Sequence, residues 1–283
     1  MKTLSAKNAA ALDRDLMSIG GFSLDQLMEL AGLSVSQASN FPPLLHDHIL
    51  TKPSQSIVSI LPAWEEEFSL PVVLVTMVSI DCSQSQTQLN LKLSKSHDLV
   101  TNVLLIAKIG GDGLVAARHL WQYGYKPTIY YPKQGKNELY QRLSSQLKDL
   151  NIPFTSDFSS ALKDTDHVVD AIFGFSFSGE IREPFPAVIK ALQETTVPVA
   201  SIDAPSSWDI EKGPPASGPG SEFYPEVLVS LTAPKPLVKF FKGRHFIGGR
   251  FVSPDIKKKY DLDLPEYEGI DQVVEVGSNG QKL

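Results

Sequence analysis

Val103-Leu104-Leu105-Ile106-Ala107, followed after Lys108-Ile109 by Gly110-Gly111-Asp112-Gly113 and then Leu114, is the stretch that decides the fold. An unbroken apolar run of this length reads as a strand buried on both faces. The glycines make a turn, and from Leu114 to Tyr123 the apolar positions Leu114, Ala117, Leu120 and Trp121 fall at helical spacing. The same alternation continues downstream. Thr128–Tyr131 is rich in strand formers, Asn137–Leu150 is amphipathic, and His167–Phe173 is a second clear strand. Phe185–Leu192 reads as a helix, Val197–Ile202 and Val227–Leu231 as strands, and Gly243–Val252 as a turn and a further strand. Strands separated by helices of this length imply βαβ crossovers and a mostly parallel sheet, an α/β fold.

Upstream, Ser5–Met17 reads as a helix broken by Gly20-Gly21, and Ser23 opens a second helix with Gln26 completing a capping box. Leu24, Leu27, Met28, Leu30 and Ala31 supply its apolar face, and Gly32 thins or ends it. The stretch from 39 to 102 breaks the rhythm: it is rich in Ser, Gln, Leu and Pro, weakly periodic, and lacks any glycine between Ser39 and Thr101 although the chain carries 19. It reads as an irregular insertion within one domain spanning 1–283, or, over Ser39–Ile109, as an unspliced intron or faulty gene prediction. Gly213–Gly220 reads as a flexible surface loop.

The 283 residues suffice for one substantial core, and a net charge of −6 argues against nucleic-acid and membrane-surface partners. The single cysteine, Cys82, excludes an intrachain disulfide. Acidic Asp13 and Asp15 appear too early for a transit peptide and no apolar signal segment precedes them, so the cytoplasm is expected, with dual mitochondrial targeting left open.

In parallel sheets ligands bind beyond the carboxyl ends of the strands. Three strands here end in polar or glycine-rich segments: Lys108–Gly113, Asp170–Glu180 and Asp203–Trp208. The glycines at 110, 111 and 113 suit either approach to a phosphate or a tight turn capped by Asp112. Asp170 in an apolar strand demands a cation or several donors, and capping of a neighbouring loop would also satisfy it. Asp203 emerges at the same edge, as a general acid or base or as a structural cap. Ser206 lacks the flanking glycines of a nucleophile elbow, and the only downstream histidine, His245, lies in a basic turn. His46-Asp47-His48 with Cys82 lacks ligand spacing for a metal. Trp121, Trp208, Tyr130 and Tyr131 read as core or interface aromatics, and Lys257-Lys258-Lys259 as a solvated helix face.

Taken together, Phe22–Ala38 (FSLDQLMELAGLSVSQA), Gly110–Leu120 (GGDGLVAARHL), Val169–Glu183 (VDAIFGFSFSGEIRE), Ser201–Trp208 (SIDAPSSW) and Leu231–Pro236 (LTAPKP) resemble the NAD(P)HX epimerase family in its fungal style. The resemblance implies a three-layer Rossmann-like α/β/α sandwich, a homodimer, and interconversion of the 6R and 6S hydrates of NADH and NADPH. A separate dehydratase, the functional partner, would consume the S form. By the same resemblance Asp203 is the acid–base at the nicotinamide C6 position. Gly110, Gly111, Asp112 and the loop Gly174, Phe175, Ser176, Phe177, Ser178, Gly179 and Glu180 hold the substrate. Asp170 and Ser206 help bind one potassium ion per subunit. The chain departs from the family in one place. Where the family reads Gly-Pro-Gly-Asn-Asn before Gly-Gly-Asp-Gly, this sequence has Leu105-Ile106-Ala107-Lys108-Ile109, so a potassium ligand becomes Ile109, whose side chain has no donor atom. The altered loop makes a catalytically weak scaffold of the same fold the alternative. An intact dinucleotide oxidoreductase is disfavoured, because Lys126–Pro132 offers no acidic ribose ligand.

Overall fold

The computed structural model describes residues 2–39, 101–108 and 111–277. His46, Asp47, His48, Cys82, Ile109 and Gly110 lie outside the described residues, as does nearly all of the 39–102 stretch.

Helix α1 (Ala6–Ser18) is capped by the Ser5 hydroxyl, which accepts from the Asn8 amide. Helix α2 (Leu24–Ser39) begins with the anticipated capping box: the Ser23 amide donates to Gln26 Oε1 at 2.8 Å and the Gln26 amide to Ser23 Oγ at 3.2 Å. Gly32 does not end it. A Cβ at that position would stand 2.4 Å from Val115 Cβ, so the glycine is what lets α2 lie against α3 (Gly111–Gln122). The buried face of α2 is correspondingly made of small residues, Ala31, Ser34, Val35 and Ala38, while Leu24 is exposed. The larger apolar side chains Leu27 and Met28 face a cavity instead.

After β1 (Asn102–Ala107) and α3 the chain forms β2 (Lys126–Tyr130), α4 (Glu138–Asp149), β3 (Phe154–Thr155), α5 (Phe158–Lys163) and β4 (His167–Ala171). Helix α6 (Phe185–Glu194), β5 (Val199–Ile202), β6 (Val227–Leu231), β7 (Arg244–Gly248), α7 (Pro254–Lys259) and β8 (Val273–Val276) complete the order. Among the described residues the strands form one sheet in the order β3-β2-β1-β4-β5-β6-β7-β8, parallel throughout except for the β7–β8 pair. His245, expected in a turn, is a buried member of β7.

The alternation of side chains along β1 assigns the two helical layers. Val103, Leu105 and Ala107 pack with Val35 of α2, Leu114 and Leu120 of α3, and Leu143 of α4. Leu104 and Ile106 point the other way, onto Phe158 of α5 and Phe185 and Ile189 of α6. This is the α/β/α sandwich that the family resemblance implies. Trp208, Tyr130 and Tyr131 are core residues, whereas Trp121 is 38% exposed. Gly213–Gly220 runs over the surface with both end glycines buried. No helix among the described residues is long and apolar enough to cross a membrane.

The strand order sets where a ligand can bind. From β1 the chain moves outward to β2 and β3, then returns to place β4 on the other flank of β1. The loops leaving β1 and β4 therefore diverge, and a crevice opens at their carboxyl ends.

Candidate active site

A cavity of about 930 Å³ occupies that crevice, large enough for a cofactor-sized ligand. Its floor is formed where β5 and β6 end. Asp203 follows Ile202 and takes a left-handed backbone (φ 66°), with its amide donating to Val229 O of β6 at 2.7 Å. This turn directs the carboxylate toward the loop after β6. There Asp203 Oδ1 accepts from the Leu231 amide at 3.0 Å and from the Lys235 ammonium, which also donates to Leu231 O at 2.7 Å. Asp203 and Lys235 are 5% and 2% exposed, a buried ion pair at the base of an open cavity. Asp203 Oδ2 makes no hydrogen bond among the described residues.

Two further carboxyl groups face this pair. Asp112 lies in the first turn of α3, where the helix N-terminus favours an anion, yet its pKa is pushed up to about 7. Burial is the main cause, and the charges of Asp203 and Asp13 add to it against the opposing pull of Lys235. Asp13, from α1, is itself raised, chiefly by burial, with Lys235 pulling the other way. Gly113 lies between β1 and β4, and a Cβ there would approach Ala171 Cβ to 2.7 Å; the missing side chain lets α3 start this close to the sheet. On the β4 side the loop Gly174–Glu180 lines the cavity, anchored by the Phe173 and Phe177 rings, whose centroids are 4.2 Å apart.

Asp170 is arranged differently. It is fully buried at the end of β4, where burial raises its pKa. Its carboxylate accepts from Ser201 Oγ (2.8 Å), Ser206 N (2.9 Å), Ser206 Oγ (2.5 Å) and Ile172 N (3.3 Å). These donors occupy its acceptor positions and tie the 203–208 loop to β4. Asp170 and Ser206 are thus neighbours, as ligands of one ion would be. The donor set nevertheless does not suit potassium: the carboxylate is satisfied by the protein, and neither residue lines the cavity. Ser206, donating its proton to Asp170, is not placed as a nucleophile.

Of the residues singled out from sequence, Asp112, Asp203 and all of Gly174–Glu180 meet in one cavity. Gly111 does not: as the first residue of α3 it packs toward Leu143 and Met28, where an added Cβ would stand 2.9 Å and 3.0 Å from their tips. Sequence reasoning missed Lys235, Asp13, Lys133 and Arg182, all of which line the cavity. For Lys235 a signal existed, since Leu231–Pro236 was already conspicuous as a stretch. For Asp13 there was none beyond an acidic residue on a helix.

Known proteins resemble this chain in sequence and in fold. The family model described as YjeF-related protein N-terminus matches residues 77–237. The NAD(P)H-hydrate epimerase of Neurospora crassa is 57% identical over 283 residues, covering 100% of this chain and 99% of that protein. That of Schizosaccharomyces pombe is 47% identical over 280 residues, covering 96% and 95%. Among solved structures, the yeast protein YNL200c superposes with a TM-score of 0.73 at 33% identity, covering 98% of this chain and 100% of that one. The chain belongs to the YjeF-related N-terminal family, within its NAD(P)H-hydrate epimerase group.

Proposed function

We propose that the chain epimerises the R and S hydrates of NADH and NADPH, with the hydrated ring seated against Asp203. The observation that carries this reading is the Asp203–Lys235 pair at the floor of an open cavity, in a chain 57% identical from end to end to a NAD(P)H-hydrate epimerase. Inverting the hydroxyl-bearing carbon requires its C–O bond to break and re-form on the opposite ring face. The ring nitrogen lone pair expels the oxygen, which takes up a proton and leaves as water. Water then adds to the other face of the iminium carbon and releases a proton, so atoms and charge balance over the cycle.

Asp203 is the acid–base in this scheme. Lys235 and the Leu231 amide fix Oδ1, and Oδ2 remains for the ligand. Asp112, with its pKa near 7, is present in both protonation states around neutrality, the condition under which a group exchanges protons most effectively. The loop Gly174–Glu180 encloses the ring and shields it from bulk water. No step requires potassium. The S product passes to a separate dehydratase, and the chain acts as a homodimer.

The test is turnover of purified R-hydrate, followed through consumption of the S form by an S-specific dehydratase. The wild type should exceed the spontaneous rate, and Asp203→Asn should lower kcat by roughly 10²–10⁴-fold. A wild type no faster than the uncatalysed reaction, or an Asp203→Asn enzyme at full rate, overturns the assignment.

A further inference from the structure

The cavity is polar in a second sense, with three carboxyl groups and one lysine at its base and, toward its mouth, three cations against the single exposed carboxylate of Glu180. Asp13, Asp112 and Asp203 lie with Lys235 at the inner end, whereas Lys108, Lys133 and Arg182 also line it but come from the ends of β1 and β2 and from the loop before α6. Lys133 and Arg182 are exposed and Lys108 is half-buried. The Lys108 ammonium sits 4.2 Å over the Phe173 ring and 5.1 Å from that of Phe185. Lys133 Nζ donates to the Glu183 carbonyl, not to a carboxylate. Among the described residues none of the three is in an ion pair.

Clustered cations that no ion pair neutralises repel one another, and Lys108 also loses hydration: its pKa is lowered first by burial and then by the charges of Lys133 and Arg182. Such an arrangement opposes folding unless an anion completes it. We infer that Lys108, Lys133 and Arg182 form a clamp for the diphosphate of the dinucleotide, so that the ligand enters ring first with its phosphates held at the rim. The clamp rests on the epimerase reading for the identity of the ring, and on charge and placement alone for the diphosphate.

The experiment is calorimetric titration with ADP-ribose, which carries the diphosphate but no nicotinamide, and with adenosine, which carries neither. Lys108→Met, Lys133→Met, Arg182→Met and the triple variant are compared with the wild type. ADP-ribose affinity should fall about tenfold for each charge removed, as expected for a lost charged hydrogen bond. Adenosine should not discriminate among the proteins, and the triple variant should melt no lower than the wild type. Equal ADP-ribose affinity in the triple variant overturns the clamp, and so does a lowered melting temperature, which would assign the charges to the fold. A wild type that binds ADP-ribose through these cations yet fails to turn over the hydrate supports the clamp while sinking the epimerase reading.

Discussion

Asp112→Asn is the perturbation that most directly probes the base of the cavity. The folded protein binds the Asp112 proton more tightly than the unfolded chain does, because its pKa rises from 3.8 to about 7. Stability from this group is therefore complete below about pH 4 and is lost as the pH climbs to about 7. A shift of that size at about 1.4 kcal/mol per unit sets an upper limit of about 4 kcal/mol. Asp112 is partly accessible from the cavity, so water screening brings the expected figure to roughly 2–4 kcal/mol. Asparagine copies the shape of the protonated acid but cannot ionise. The variant should match the wild type near pH 4 and exceed it by that margin at pH 8. Urea unfolding at intervals across this range, with the difference between the two proteins plotted against pH, reads the effect of Asp112 together with its charge partners Asp203, Asp13 and Lys235, while more distant titrating groups cancel. The same variant should epimerise more slowly, since it can no longer release a proton. A stability difference that stays flat with pH, or a wild type that is the more stable protein at pH 8, refutes the reasoning.

Removing one partner of the buried pair should be worse than removing both. Lys235→Met leaves the Asp203 charge uncompensated and should cost about 3–5 kcal/mol, and adding Asp203→Asn should recover most of it in denaturant unfolding. Gly32→Ala forces a methyl group to within 2.4 Å of Val115, so about 1–3 kcal/mol should be lost on thermal or chemical unfolding. Replacing potassium by sodium at constant ionic strength should leave the epimerase rate within about twofold, because protein donors already satisfy Asp170; a strict potassium requirement would show that those hydrogen bonds yield to an ion.

The sheet was legible because buried parallel strands are written as unbroken apolar runs, as in Val103–Ala107 and His167–Phe173. Helix starts were legible where a side chain caps them, as at Ser23, and again at Asn137, whose Oδ1 accepts from the Leu139 amide at 2.9 Å. Strand β3, with two residues, and α5, with six, are too short to carry a period, and neither was anticipated. The buried face of α2 was misread because hydrophobicity alone favours Leu24 and Leu30, while close helix packing selects Gly32, Ala31 and Ser34. The site was half legible for a related reason. Asp112, Asp203 and Gly174–Glu180 follow strands directly, so the topology brings them to one edge whatever the details. Asp13 reaches the cavity only because α1 packs beyond the strand ends, with Leu12 and Leu16 against Ala233 and Ile256, a tertiary arrangement that no local pattern encodes.

The backbone around Asp203 shows how the fold holds a charge where sequence propensity would not place one. Asp203, Ser207 and Thr232 all have left-handed backbones, with φ of 66°, 84° and 68°. Threonine is the costliest of the three, because its branched Cβ crowds the carbonyl in this region. Each residue carries on the order of 1–3 kcal/mol of strain, which persists only if the surroundings fix it. They do so by hydrogen bonds: the Asp203 amide reaches Val229 O and the Thr232 amide reaches Gly248 O, both at 2.7 Å, so the reversed turns at the ends of β5 and β6 are pinned to neighbouring strands. Ser206 is pinned in turn to Asp170 on β4. The Asp170 cluster therefore acts through the backbone, locking the loop whose first residue is Asp203, while the loop after β6 delivers Lys235 to the same point. Strain at two adjacent strand ends is what turns the carboxylate and the ammonium toward each other at the cavity floor.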